Sequence, residues 1–458
     1  MQIIDIFGII VILIFAGAFY IMFKFLNRNK GEIFDFERDH KEALHNPTFK
    51  GKKPQGEATL LGTSGKKDVF ISNNAKHVFV CGTTGSGKTI ALSNFIKSGA
   101  NYNYPMLIVD GKGDTDTGSI LEITKTICTN RKIYVINFND PKTSNKYNPF
   151  KNTNIDVIKD MLINMTKWSE EHYKLNTERY IQRLCKLLEK QDIIISLESL
   201  TNYLPSDNFL KLSKELMGKG FISKTEYTED IELTKTSGQI AESAAARFAT
   251  IKESNLGTIF DASGIDIYTA LSENAIILFI LNPLLYPEMS PLIGNLIIID
   301  SKKAVSNFYN NKKNRIFYLL DEINVYTSPA LLDLVNKSRS ANITCILATQ
   351  SLSDLDKVAP EFKEQVVENC NNYIVLRQNS PTNAEYWANV LGTRQTMQAT
   401  YQMKQENGGA TSTDLGSLRK TREFLYHPDE IKSLQQGNAI FLSRDENFHT
   451  KIKVNKPY

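Results

Sequence analysis

Cysteine is sparse and scattered. The 458 residues hold five, Cys81, Cys128, Cys185, Cys345 and Cys370, and no two form a C-x-x-C pair. That spacing argues against a zinc site and for reduced thiols in a cytosolic compartment. The six histidines include no H-E-x-x-H pair. Charge of one sign is also lacking. With 54 basic and 50 acidic side chains the net charge is only +4, so composition by itself does not call for a nucleic-acid partner. No internal repeat is visible. What remains is an ordinary globular composition, 41% hydrophobic and 23% charged, with length enough for two or three domains and a large core.

The N-terminus departs from this average. Ile6 to Phe23 carries no charged residue. Eighteen helical residues span roughly 27 Å, close to the hydrocarbon thickness of a bilayer. A secretory signal needs a basic start, but only Asp5 precedes the run. The positive charges Lys24, Arg28 and Lys30 follow it. The positive-inside rule then predicts a single cell-membrane anchor within residues 1–30, with the bulk of the chain cytoplasmic. Residues 31–57, including Lys50-Gly-Lys-Lys-Pro54, read as a linker.

The strongest local signal is Gly82-Thr83-Thr84-Gly85-Ser86-Gly87-Lys88-Thr89, which fits G-x-x-x-x-G-K-[ST]. Glycines let the backbone curl so that its N–H groups point inward at phosphate oxygens. Lys88 adds a point charge for the β- and γ-phosphates of ATP, and the Thr89 hydroxyl suits Mg²⁺. The apolar run His77–Cys81 before it reads as a strand. Thr89–Lys97 after it has helical spacing, so a helix N-terminus faces the anion. A chance glycine turn would lack this strand–loop–helix frame.

Strands alternate with helices on both sides of this loop. Met106–Asp110, Lys132–Asn137, Ala275–Leu281, Ile316–Leu320, Thr344–Thr349 and Tyr373–Leu376 read as strands. The alternation predicts an α/β fold with a mostly parallel central sheet covered on both faces. Residues 155–260 break it. They show helical periodicity at Ile158, Met161, Leu162 and Met165, then at Tyr180, Leu184, Leu187 and Leu188, with one proline, Pro205. We expect an all-α domain inserted between the two parts of a nucleotide-binding domain, 58–154 and 261–458. Residues 393–422, polar and glycine-containing, are expected to form a mobile loop. Two short strands near 438–443 and 450–454 are expected to close the chain.

Asp321-Glu322 ends the apolar strand Ile316–Leu320. In phosphate-loop ATPases Asp321 would hold Mg²⁺ through water, and Glu322 would orient and deprotonate the attacking water. Gln350 closes the next strand, where a side-chain amide sits beside the γ-phosphate and reports its loss. Arg339 lies on the intervening helix. It is either an ordinary surface charge or a cation that reaches a neighbouring subunit's γ-phosphate and stabilises transition-state charge.

These residues carry a resemblance. The anchor, Gly82–Thr89, Val109-Asp-Gly-Lys-Gly-Asp114, Asn145-Lys-Tyr-Asn-Pro-Phe150, the helical insert, Asp321-Glu322 and the segment Lys337–Ser351 together are similar to the coupling proteins of conjugative type IV secretion systems. Those belong to the FtsK- and HerA-like superfamily of hexameric DNA pumps, which includes chromosome-segregation translocases. The resemblance covers roughly residues 58–450. It implies a RecA-like fold, a ring of six subunits with ATP between neighbours, and a central channel for DNA, single-stranded and with its bound relaxase. It also implies that Arg339 acts in trans, that the insert recognises cargo, and that secretion-channel proteins and the cytoplasmic membrane are partners. Two features depart from the family pattern: one expected membrane span rather than two, and Gly111 where proline is more frequent. Other readings are a related motor that segregates double-stranded DNA or exports protein, and a membrane scaffold that binds nucleotide without turnover. A segregation motor would normally end in a DNA-reading winged helix, for which residues 438–458 look too short and strand-like. The full set Lys88, Asp321, Glu322 and Gln350 argues against the scaffold.

Overall fold

The computed structural model describes residues 17–22, 54–74, 76–164, 171–309, 315–356, 361–406 and 409–458. The expected anchor, Ile6–Phe23, lies outside the described residues except for 17–22, which are helical and exposed. Among the described residues no helix is long and apolar enough to cross a membrane. Two compact units emerge. One comprises residues 49–384 and 429–458, and the other includes 385–428.

The larger unit is built on an 11-stranded sheet. In chain order its strands are β1 (Ala58–Ser64), β2 (Lys67–Ser72), β3 (Val78–Cys81), β4 (Met106–Asp110), β5 (Ile133–Asn137), β6 (Ile276–Ile280), β7 (Ile316–Asp321), β8 (Ile343–Thr349) and β9 (Asn372–Val375). A later pair, called β12 (Asn438–Ser443) and β13 (Phe448–Val454) because β10 and β11 fall in the smaller unit, completes it. The spatial order is β2-β1-β13-β12-β9-β3-β8-β7-β4-β6-β5. Strands β9 through β5 in that order are all parallel to one another. The other four join by antiparallel pairing. The parallel strands are short apolar runs such as Ile276–Ile280 and Met106–Asp110, buried along their whole length. Runs apolar on both faces need cover on both faces, as parallel sheets require.

On one face, helix α1 (Lys88–Asn101) and helix α2 (Ile120–Ile127) place Ala91, Leu92, Phe95, Ile96, Ile120 and Ile123 in a continuous core. Val80, Ile108, Leu278, Leu319 and Ile374 of the strands share it. Burying each of the Val, Leu, Ile and Phe side chains among them stabilises by roughly 1.5–3 kcal/mol.

Between β5 and β6 the chain forms α3 (Ile155–Asn164), α4 (Glu171–Lys190), α5 (Leu197–Tyr203), α6 (Ser206–Gly218), α7 (Lys224–Glu253) and the short α8 (Ile267–Ser272). The described residues from 155 to 253 contain no strand. Ser196 and Ser223 begin α5 and α7 as reciprocal capping boxes. Arg183 of α4 grips the buried Asp230 of α7 through two N–H groups at 2.6 and 2.9 Å. Both ends of this helical run return to one place. Tyr147 N–H donates to Ile259 O at 2.9 Å and Asn148 N–H to Ile265 O at 3.0 Å. Helix α9 (Met289–Phe308) clamps the junction. Its Lys303 ammonium donates to Pro149 O, Lys151 O and Thr153 Oγ1 and pairs with Asp266 and Asp300.

In the smaller unit the expectation of a loop over 393–422 is overturned. After helix α12 (Pro381–Leu391), β10 (Thr393–Glu406) and β11 (Gly409–Phe424) pair as a long antiparallel ribbon. Helices α10 (Pro329–Ser338) and α11 (Phe362–Asn369) belong to the larger unit, and α13 spans Pro428–Lys432. The polar composition hid a period-two pattern, Met397-x-Ala399-x-Tyr401-x-Met403. The dipeptide Asn407-Gly408 between the strands is a hairpin-turn signal.

Candidate nucleotide site

Segment 82–87 connects the end of β3 to the start of α1, at the carboxyl edge of the sheet. It is a crevice position between β8 and β9, where open α/β sheets bind ligands. Gly87, at φ 109°, precedes the first helical residue and offers no side-chain cap. The first turn of α1 contains no acid either. Its N–H groups are thus left for an external anion. The loop is braced from outside: Thr83 N–H donates to Arg377 O at 3.0 Å, and Gly437 N–H to Ser86 O at 2.9 Å. The buried hydroxyls of Thr83 and Ser86 have no hydrogen-bond partner.

The acid pair arrives from β7, two strands away. Asp321 and Glu322 are buried. Lys88 Nζ contacts Glu322 Oε1 and lies 3.9 Å from Asp321 Oδ1. Gln350, just past β8, bridges the loop to the acid. Its Nε2 donates to Glu322 Oε1 at 2.7 Å, and its Oε1 accepts from Thr84 Oγ1 at 2.8 Å. Glu322 sits at φ 49°, in the left-handed region that non-glycine residues seldom adopt. Such strain concentrates at functional sites. The arrangement needs close backbone approach. A Cβ on Gly111 would lie 2.9 Å from Asp321 O and from Glu322 Cβ, and Gly111 N–H donates to Asp321 O at 3.2 Å. A proline there would remove that donor, so glycine gives a tighter junction at this turn.

Burial raises the Asp321 carboxyl to about 6, against the opposing pull of Lys88 and helped by Glu322. Asp110 lies directly across from it in the β4–β7 register. Burial and then Asp321 raise the Asp110 carboxyl to about 7. An acid cluster that resists ionisation is a site that gains from a cation.

Arg339 does not join this group. It ends α10 and opens a single tight turn, Arg339–Ala341, rather than lying within the helix. It is exposed and precedes β8, whereas Gln350 follows β8. Seven extended residues put it about 20 Å from the carboxyl edge. The sequence reading also missed Asp110 and Arg377. The apolar run Met106–Val109 ending in an acid, like that of β7, was a signal for Asp110; no local pattern marks Arg377.

Residues 25–165 match the family described as type IV secretory system conjugative DNA transfer. Residues 315–436 match the one described as the TraM recognition site of TraD and TraG. The type 4 coupling protein DotL of Legionella pneumophila is 23% identical over 408 residues, covering 72% of this chain and 51% of DotL. The chain belongs to the type IV coupling protein family. This coupling protein spans about half the length of DotL. An uncharacterized protein of Mycoplasma pneumoniae is 28% identical over 101 residues, covering 22% of this coupling protein and 67% of that one. The fold of the present chain is similar to that of the conjugative coupling protein TrwB, with a TM-score of 0.62 at 17% identity over 89% of this chain and 90% of TrwB. A TrwB structure in complex with ADP and Mg²⁺ matches with a TM-score of 0.60 over 89% of this chain and 91% of that one. VirB4 of Thermoanaerobacter pseudethanolicus shares the fold more loosely, at 0.55 and 10% identity over 88% and 97%.

Proposed function

We propose that this coupling protein is a membrane-anchored, Mg²⁺-dependent ATPase that drives conjugative DNA, with any bound relaxase, to a type IV secretion channel. The observation that carries the reading is the convergence of Lys88, Glu322 and Gln350, from three separate strand ends, on the uncapped N-terminus of α1. Gly82, Thr83, Thr84, Gly85, Ser86, Gly87, Lys88 and Thr89 cradle the phosphates. Lys88, beside the acids, would pair its ammonium with the β- and γ-phosphate oxygens of ATP. Glu322, released from Lys88, accepts the proton of the attacking water, and Gln350 holds that carboxylate in place. The hard oxygen donors Thr89 and Asp321 suit Mg²⁺, which when bound neutralises phosphate charge. The unpartnered hydroxyls of Thr83 and Ser86 fit a ligand of this kind.

Arg339 lies too far from its own Lys88 to act on the same nucleotide. In our reading it completes a neighbouring subunit's site within a ring, a hexamer in this superfamily. The helices of 155–260 form an inserted domain that recognises cargo, supported by the meeting of its two ends at Tyr147 and Ile259. The segment within residues 1–30 anchors the ring.

The test is ATP hydrolysis by the purified full chain with and without single-stranded DNA, alongside transfer frequency in cells. DNA-stimulated turnover and transfer that both vanish in Lys88→Ala are expected. Turnover without any DNA response would favour a motor for protein cargo.

A further inference from the structure

Glu322 is aimed by its backbone, and that backbone is held by its surroundings. At φ 49° and ψ 53° it opens the short turn Ile323–Val325 in the left-handed region. A non-glycine residue stays there only where its neighbours overdetermine it. The peptide that joins Asp321 to Glu322 is bound at both ends. Its N–H, that of Glu322, donates to Asp321 Oδ1 at 3.0 Å. Its carbonyl, Asp321 O, accepts from Gly111 N–H at 3.2 Å and from the Tyr326 hydroxyl at 2.8 Å. Val325 N–H then donates to Glu322 O at 2.9 Å, and Thr349 Oγ1, at the end of β8, donates to Asn324 Oδ1 at 3.4 Å.

Tyr326 is the unexpected member of this set. It is 1% exposed. A buried hydroxyl costs free energy unless it is bonded, and phenylalanine would fill almost the same space. The bond to Asp321 O is what the hydroxyl adds. Helix α9 gives way to seat the ring. Gly294 lies inside that helix and is buried. A Cβ on it would collide with Tyr326 Cβ and crowd the ring at Cγ. Glycine in a helix interior is less stable than alanine, so the helix yields stability to the placement of this one side chain.

We propose that Tyr326 is a positioning residue for ATP hydrolysis. Its O–H fixes the Asp321–Glu322 peptide and thereby holds the Glu322 carboxylate against Lys88 and Gln350, where the attacking water is met. Tyr326 acts only through that acid. A small rotation of the peptide swings the carboxylate at the end of its side chain, and a misplacement of about 1 Å can cost about 10²-fold in rate. The inference rests on the reading of Glu322 as the base that activates water.

Tyr326→Phe removes the O–H and keeps the ring. Asp321 O retains its Gly111 donor, so no buried acceptor is orphaned. In steady-state hydrolysis by the full chain, kcat should fall by about tenfold or more while KM for ATP is unchanged, because the loss falls on the transition state. The thermal shift with ATP·Mg²⁺ should equal that of the parent. Gly294→Ala, which displaces the ring and leaves the hydroxyl in place, should show the same split. The losses in Tyr326→Phe and Glu322→Gln should not add: the double variant turns over no more slowly than Glu322→Gln alone. Unchanged kcat in Tyr326→Phe would overturn the inference, and so would additive losses. A Tyr326→Phe chain that fails to fold, or that loses ATP affinity together with kcat, would show a merely structural bond and overturn it as well. A parent with no ATP turnover, or Glu322→Gln with normal turnover, would instead count against the reading of the site itself.

Discussion

His77 Nε2 donates to Val335 O at 2.8 Å, across 258 residues of sequence. Its Nδ1 accepts the Cys345 N–H at 3.0 Å, which fixes the neutral tautomer. One ring thus ties the last turn of α10, just before Arg339, to the start of β8 and to the strand that leads into the phosphate loop. Burial, with Arg339 nearby, lowers the His77 pKa to about 4, against the Val335 bond that raises it.

That depressed pKa predicts acid sensitivity. The folded chain holds His77 neutral, and the unfolded chain protonates it near 6.5. The stabilisation is complete above 6.5 and is lost as pH falls toward 4, by up to about 3 kcal/mol. In His77→Gln the fall in unfolding temperature between pH 6.5 and 4 should be smaller than in the parent. An identical pH profile in both would remove His77 as the responsible group.

Lys88→Ala and Glu322→Gln should fail differently. The first removes the phosphate charge and should abolish both turnover and nucleotide-dependent stabilisation. The second retains binding but loses the proton acceptor, so ATP is trapped. Thermal shift with ATP·Mg²⁺ beside a phosphate-release assay distinguishes them. Normal release by Glu322→Gln would take Glu322 out of the base role.

Mixing Arg339→Ala with Lys88→Ala subunits tests the shared site. Each mutant supplies what the other lacks only if the site spans two chains. Alone, Arg339→Ala should lose about 10³-fold or more in rate. Partial recovery on mixing is expected, and no recovery at any ratio would contradict action in trans.

Lys303→Met should destabilise the chain by about 3–5 kcal/mol, since it leaves the buried carboxylates of Asp266 and Asp300 without their cation. The additional substitutions Asp266→Asn and Asp300→Asn should restore much of the loss. Chemical unfolding of the single and triple variants measures this. A triple variant no more stable than the single one would mean that the cluster is not the cause.

Replacing residues 171–253 by a flexible linker should preserve nucleotide-dependent stabilisation, because Lys88, Asp321 and Gln350 lie outside that stretch. DNA transfer in cells should fall to background. Normal transfer by the shortened chain would exclude cargo recognition by these helices.

The phosphate loop was legible in the sequence because its chemistry is contiguous: glycines, lysine and threonine act from one stretch of backbone. The strands were legible because a doubly covered sheet demands uninterrupted apolar runs, as in Ile276–Ile280. The ribbon of β10 and β11 was not, since its alternation is carried by a few residues among threonines and glutamines. Local patterns report what neighbours in sequence do together. They are silent on pairings made at a distance. Only the tertiary structure put Gln350 between Thr84 and Glu322, set Asp110 against Asp321, and carried Arg339 a strand's length from its own Lys88. The physical reason is strand order: β3 lies between β8 and β9, which follow it by more than 250 residues, and the sheet alone decides which strand ends meet.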